Sequence, residues 1–231
     1  MPDTLAEKLL DAALSHVPFD GWSDLTFTAA ADDVGVSLAE ARTVFARGGL
    51  DMAAAYHRRA DQMMLARMDA ADLASMKYSE KVAAGVRFRL EVVEDKEVLR
   101  RGVTLFSLPK NAAEGAQLVW GTADCIWEKL GDTSDDFNWY SKRAILSGVY
   151  GSTVLFWLGD TSDGHAATWA FLDRRIGDVM RFEKLKSQLR ATPAFKPLLS
   201  IPDALLGRIV APSARKQSNL PGHWTERSQQ K

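Results

Sequence analysis

The side chains able to do chemistry in this chain are few and scattered. Four histidines, His16, His57, His165 and His223, fall on separate segments with no ligand-type spacing among them. No H-x-x-x-H, E-x-x-H or C-x-x-C occurs, so neither the usual zinc pattern nor the helical di-iron pattern is present. His57 and Asp61 stand one helical turn apart, the spacing of a solvated surface pair. Asp135–Asp136 offers an acid and a base in principle, but adjacent acids ahead of a helix serve as cap and dipole partners. The lone Cys125 lies in an apolar helical stretch and reads as a small hydrophobe. A single cysteine excludes an internal disulfide and fits a reducing compartment. Gly48–Gly49 lacks the lysine and the preceding strand of a phosphate-cradling loop. These residues predict a protein that is not an enzyme and carries no cofactor or metal.

Aromatic side chains are the stronger signal. Trp120, Trp127, Trp139, Trp157 and Trp169 fall between residues 120 and 171, with Phe137, Tyr140, Tyr150, Phe156 and Phe171 among them. Most such residues fill a core. Asn138–Trp139–Tyr140, however, opens a helix, where burial is harder. Trp139, Tyr140 and Arg143 lie within one turn, with 139–143 and 140–143 at face-sharing spacings. Trp, Tyr and Arg together are the composition of an interface hot spot, and Asp136 just upstream adds charge.

The elements that must position these groups read as helices. Leu5, Leu9, Ala12 and Ala13 form a stripe that Pro18 and Gly21 end. A short helix over Thr28–Val34, a turn at Gly35–Val36, and a helix from Leu38 to Arg47 have the spacing of a helix-turn-helix. Ser37 with Glu40 predicts a capping box, and Asp51 a cap for the fourth helix. Val86–Val92 alternates as a strand would, yet Val82, Val86, Leu90 and Val93 also satisfy a helix. With helical flanks and no hairpin turn, the helical period is preferred. Further helices are expected over 95–107, 112–130, 138–158 and 164–190. Gly-Asp-Thr-Ser occurs at 131–134 and again at 159–162, each copy between two helices, as punctuation rather than as a repeat.

Charge divides the chain. Of 231 residues 46% are hydrophobic and 26% charged, as in ordinary globular proteins, and the net charge is −1. Residues 181–231 hold ten basic and three acidic side chains, a surplus of seven, which leaves a deficit of eight for residues 1–180. An acidic body does not suit general nucleic-acid binding. Pro193, Pro197 and Pro202 interrupt the last region, while Phe195, Leu198, Leu199, Leu205, Leu206 and Ile209 share one helical face. That face in a basic surround predicts a membrane-contact segment. Residues 211–231 are polar and predicted disordered. No apolar run approaches the ~20 residues of a spanning helix. Met1–Thr4 leads into an amphipathic helix with acidic residues, unlike a targeting leader. The expected domains are therefore a three-helix unit over 1–50, a helical body over 51–192, the segment 193–210 and the tail 211–231.

The string Gly131-Asp-Thr-Ser-Asp-Asp-Phe-Asn-Trp-Tyr-Ser-Lys-Arg-Ala-Ile-Leu, with Tyr150-x-x-Thr153 and Thr168-Trp-x-Phe-Leu-Asp-Arg-Arg-Ile176, resembles the Coq-nine family of ubiquinone-biosynthesis accessory proteins. The likeness is dense from about Leu118 to Arg190. Ala31-x-x-Val-Gly-Val-Ser37 with Phe45 is in turn similar to TetR-type regulators. Together these imply an all-α, TetR-like homodimer with a ligand cavity in its helical body, residues 138–158 and 164–188 pairing across the dimer axis. The resemblance implies a non-enzymatic lipid binder. Such a protein lifts a polyprenylated quinone or precursor from the membrane and presents it to the di-iron demethoxyubiquinone hydroxylase. Trp120, Trp127 and Phe156 are then candidates to line the cavity, and Asp136, Trp139, Tyr140 and Arg143 to bind the partner. The implied location is the cytoplasmic face of a bacterial inner membrane, or the matrix face for a processed mitochondrial chain. The alternative is a TetR-type ligand-responsive regulator. Against it, the recognition helix Leu38–Arg47 offers only Arg42 and Arg47 among alanines and Glu40, too little for the contacts a major-groove reader needs, so nucleic-acid binding is not expected.

Overall fold

The computed structural model describes residues 4–191, with side chains through Arg181. The membrane-contact candidates Phe195, Leu198, Leu199, Leu205, Leu206 and Ile209, and the tail 211–231, lie outside the described residues. Nine α-helices and one short 3-10 turn make up the described part: α1 (Leu5–Asp20), α2 (Asp24–Val34), α3 (Leu38–Val44), α4 (Gly49–Ala70), α5 (Tyr78–Glu91), α6 (Lys96–Ser107), α7 (Ala112–Lys129), α8 (Phe137–Gly159), the turn Asp163–His165, and α9 (Ala166–Ala191). The all-helical architecture is as expected, and the body helices fall within about two residues of their sequence boundaries.

Local chemistry explains the ends of these helices. Thr4 and Glu7 close α1 with a reciprocal capping box, and Gly21 ends it at φ 68°, so Pro18 sits inside the last turn rather than ending the helix. Ser37 caps α3, its hydroxyl accepting from Glu40 N at 3.2 Å. That helix stops at Val44, short of the expected Arg47, and α2 starts at Asp24, before the expected Thr28. Asp51 is not the cap of α4. It lies in the first turn and reaches back, its carboxylate accepting from Arg47 N and Arg47 Nε, each at 2.7 Å. The cap position belongs to Gly48, and a Cβ on neighbouring Gly49 would meet the backbone of Trp22 and Ser23 at 2.7 Å. Glycine there lets α4 touch the α1–α2 connection directly.

Two hydrophobic cores result, and α4 runs through both. The first gathers Leu9, Ala13, Val17, Trp22, Phe27, Ala30, Ala41 and Phe45 with Met52 and Ala53 of α4, and takes in Val98 from α6. The second gathers Met64 and Met68 of α4 with Val86, Leu90, Ile126, Leu146, Tyr150, Trp157 and Leu172. The stripe Val82, Val86 and Leu90 is buried on one face of α5, so the strand-like alternation of 86–92 gives way to the helical period. The same buried face carries a charge, Arg89, so the polar positions of the alternating segment do not share one solvent-facing side: Arg87 and Glu91 are exposed and Arg89 is buried.

The twin Gly-Asp-Thr-Ser segments do act as punctuation, through their aspartates. Asp132 accepts from Ser134 Oγ at 2.8 Å, and Asp160 accepts from Ser162 N at 2.8 Å. Asp160 goes on to cap α9, taking Thr168 N at 2.9 Å and Thr168 Oγ1 at 2.5 Å. Only the first glycine uses the left-handed region, Gly131 at φ 74°. Among the described residues, no helix is long and apolar enough to cross a membrane.

Candidate functional site

Where the two cores meet, a cavity of about 290 Å³ opens between α4, α5, α6, α7 and α8. Its walls are apolar: Trp22, Ala53, Val98, Leu99, Val103, Phe106, Leu118, Val119, Val154 and Leu155. Ser107 is exposed, and Leu155 is 64% exposed, so both stand at the mouth. Deep within, the lining turns polar at Tyr56, His57, Arg89 and Tyr150.

This floor is one connected network. Arg89, wholly buried, donates from Nε to Asp61 Oδ1 at 2.6 Å and from Nη2 to the His57 carbonyl at 3.2 Å. Thr122 donates to the same Asp61 oxygen at 2.9 Å, and His57 Nε2 lies 2.9 Å from the Thr122 hydroxyl. The guanidinium sits over the Tyr150 ring at 5.8 Å. Burial works against the charge of Arg89, and the facing Tyr150 and Asp61 outweigh it, raising its pKa above that of ordinary arginine. Burial pushes the Asp61 carboxyl up, against the pull of Arg89 and the bond from Thr122. Burial, helped by repulsion from Arg89, drives His57 down to about 3, so the imidazole is neutral at physiological pH. The expected solvated pair of His57 and Asp61 is thus corrected: both groups are largely buried, because Arg89 and Thr122 supply partners from other helices.

None of the three aromatic residues expected in the cavity lines it. Trp127 is buried in the second core against Tyr78, with ring centroids 5.9 Å apart. Phe156 is 37% exposed and stacks on Phe171 at 4.5 Å on the outer side of α8 and α9. Trp120 is half-buried beside Trp139 and Tyr140, at 6.0 and 6.4 Å. The cavity's own residues were missed because they come from five helices and no local pattern joins them. Arg89 on the buried stripe of α5 was the one available signal.

The expected partner-binding group is brought together, with one correction. Trp139 and Tyr140 are half-buried and pack edge to face at 4.8 Å, so with Trp120 they form a three-ring cluster. Asp136 is exposed and caps α8, accepting from Asn138 N at 2.8 Å. Arg143 is not a surface handle. It is 1% exposed, bonded to Asp124, to Asp132 at 3.0 Å and to the Trp139 carbonyl at 3.2 Å. Its guanidinium lies 3.9 Å from the centre of the Trp139 ring, supporting that ring from inside. A charged residue went inside because two acids, Asp124 on α7 and Asp132 in the following loop, were there to receive it.

Cys125 is half-buried with its thiol pushed up to about 11, mainly by burial, which fits an unreactive side chain. Among the described residues no group of three or more His, Cys, Asp or Glu is placed to hold a metal ion.

Comparison with known proteins defines the class first. A TetR transcriptional regulator from Nitrosomonas europaea superposes with a TM-score of 0.63 over 76% of this chain and 97% of its own, at 21% identity. The fold is TetR-like. The particular likeness is to COQ9: the COQ9 family model matches residues 112–183. The mitochondrial ubiquinone biosynthesis protein COQ9 of rat is 29% identical over 199 residues, 82% of this chain. Human COQ9 is 27% identical over the same length. The chain spans about 63% of the rat protein and 62% of the human one. The resemblance read from residues 131–176 thus extends over most of the chain.

The network around Asp132 generates a pH dependence. Burial alone would raise this carboxyl, but hydrogen bonds from Lys142, Ser134 and Arg143 hold it at about 2. A depressed folded pKa stabilises above the ordinary value of 3.8 and loses that contribution as pH falls through about 2. Wild-type melting temperature is expected to drop between about pH 4 and 2. Asp132→Asn, less stable at pH 7, is expected to show a shallower acid limb. Parallel limbs in thermal melts would contradict the assignment.

Proposed function

We propose that this protein is a non-enzymatic lipid-binding accessory of ubiquinone biosynthesis. The observation that carries the reading is the cavity at the junction of the cores: apolar walls, a buried polar floor, and a mouth at Ser107 and Leu155. Small-molecule sites have this composition, a hydrophobic lining with a few placed polar groups. Its volume suits a substituted ring and the start of a tail, the remainder leaving through the mouth. A prenylated quinone or its precursor is such a molecule, and the likeness to COQ9 proteins of ubiquinone biosynthesis selects it among apolar ligands.

In this reading the Trp120–Trp139–Tyr140 cluster is the docking surface for the di-iron demethoxyubiquinone hydroxylase. Rings held by a buried arginine present large contact area with little rotamer freedom to lose. Phe156, Phe171 and Met180 give α8 and α9 an apolar outer side, which we assign to a homodimer contact. The amphipathic segment 193–210, within the basic stretch 181–231, is assigned to membrane contact on sequence pattern alone. DNA binding is set aside. Arg42 of the recognition helix lies over Phe27 and donates to the Ala46 carbonyl, while Arg47, just beyond that helix, is held by Asp51 and Glu114, so both arginines are engaged within the chain.

Filling the cavity tests the ligand assignment. Gly151 lines it, and a Cβ there meets nothing within 4 Å. Gly151→Phe is expected to weaken binding of a short-chain prenylated benzoquinone at least about tenfold, read by quenching of tryptophan fluorescence, with the melting temperature unchanged. Undiminished binding would place the ligand elsewhere.

The docking assignment separates from packing by two measurements. Trp139→Ala is expected to weaken the hydroxylase complex by about 2 kcal/mol or more, with bound lipid unchanged. Arg143→Ala leaves two acids facing a hole and is expected to cost about 3–5 kcal/mol of folding stability. Calorimetric titration with the hydroxylase beside urea unfolding reads both. Retained partner affinity in Trp139→Ala would contradict the docking surface.

A further inference from the structure

The cavity floor is balanced in charge and incomplete in hydrogen bonding. Arg89 and Asp61 are paired, so their charges cancel, and the neutral His57 adds none. The guanidinium has five N–H donors in a fixed fork. Nε is used by Asp61 and Nη2 by the His57 carbonyl, but Nη1, fully shielded from solvent, meets no acceptor among the described residues. An unpaired donor on a buried cation is costly, and the residue that carries it lines the cavity.

We propose that Arg89 Nη1, once the side chains that shield it from the cavity shift, donates to a neutral oxygen, a ring carbonyl or ether, on an otherwise apolar ligand, and that the charge-balanced floor discriminates against anionic heads. The inference rests on the lipid-site reading and adds the chemistry by which that site recognises its ligand. A carboxylate or phosphate here would bring an unbalanced charge out of water, since Asp61 already neutralises Arg89. A ketone or methoxy oxygen completes the donor without changing the net charge. The Tyr150 ring under the guanidinium and the Tyr56 and Trp22 rings, 5.5 Å apart beside it, provide flat walls for an aromatic head. The head therefore enters first and the tail trails toward Leu155.

The test compares three probes of similar size on the full chain. They are 2,3-dimethoxy-5-methyl-6-prenyl-1,4-benzoquinone, an oxygen-free prenylated pentamethylbenzene, and the anion of 3-prenyl-4-hydroxybenzoate. Wild-type protein is expected to bind the quinone at least about tenfold more tightly than the benzoate at neutral pH. The wild-type ratio of quinone to hydrocarbon affinity is expected to fall at least about tenfold in Arg89→Met/Asp61→Met. Removing both charges together avoids an uncompensated buried ion, and the melting temperature shows whether the variant is folded. If the variant does not fold, the wild-type comparison of quinone with benzoate decides alone. An unchanged ratio in a folded variant, or benzoate binding as well as the quinone, overturns head recognition while leaving the lipid site intact. Binding of neither the quinone nor the hydrocarbon overturns the lipid-site reading itself.

Discussion

The buried ion pair between Arg89 and Asp61 is the constraint around which the body of this protein is arranged. It joins α4 to α5, reaches α7 through Thr122, and lies over Tyr150 of α8. Four walls of the cavity therefore share one polar joint. A pair this deep adds little net stability over an apolar substitute, because both charges give up hydration. What it supplies is position. The charges must meet in one geometry, which fixes the register of the helices around an opening that side chains do not fill. A close-packed apolar junction of the same helices would have no reason to leave space.

A second buried arginine serves a different surface. Arg143 is clamped between Asp124 and Asp132 and lies under Trp139. Lys142 adds to Asp132 at 2.7 Å and sits 5.6 Å from the Trp127 ring, so the loop after α7 is tied to the first turns of α8. The aromatic cluster is thus set on a rigid base, and the same aspartate carries both the loop and the base. The two arginines divide the work: one holds open an interior, and the other stiffens an exterior.

Helices were legible in the sequence because apolar period and caps agree in them. Leu9, Ala13 and Val17 keep the period along α1, and Ser37 marks the start of α3 without help from elsewhere. The strings within 131–176 were legible as a resemblance to the COQ9 family, and Ala31–Phe45 as a likeness to TetR-type regulators, which is how the COQ9 likeness and the TetR-like architecture could be anticipated. The cavity was not. His57, Asp61, Arg89, Thr122 and Tyr150 are spread over more than ninety positions, and each looks ordinary locally. His57 and Asp61 read as a solvated pair because the partner that buries them lies 28 residues on, in a stretch whose alternation mimicked a strand. The size of Trp120, Trp127 and Phe156 points to the cavity, whereas its walls combine glycines 102, 115 and 151, four valines and three leucines with the rings of Trp22, Tyr56, Phe106 and Tyr150, none of which any local pattern marks. By sequence Arg143 reads as a surface residue, since charge usually means exposure. That rule fails when two acids from other elements converge on it.

The central claim is that the space between the two cores is occupied, in the cell, by a prenylated ring lipid. It is tested most directly by extracting the purified protein with organic solvent and identifying the released molecules by mass spectrometry, with native mass spectrometry giving the stoichiometry. The account predicts a prenylated quinone or hydroxylated precursor at about one per chain, lost from the Gly151→Phe protein. Release of no lipid, or of bulk phospholipid alone in equal amount from both proteins, would contradict it.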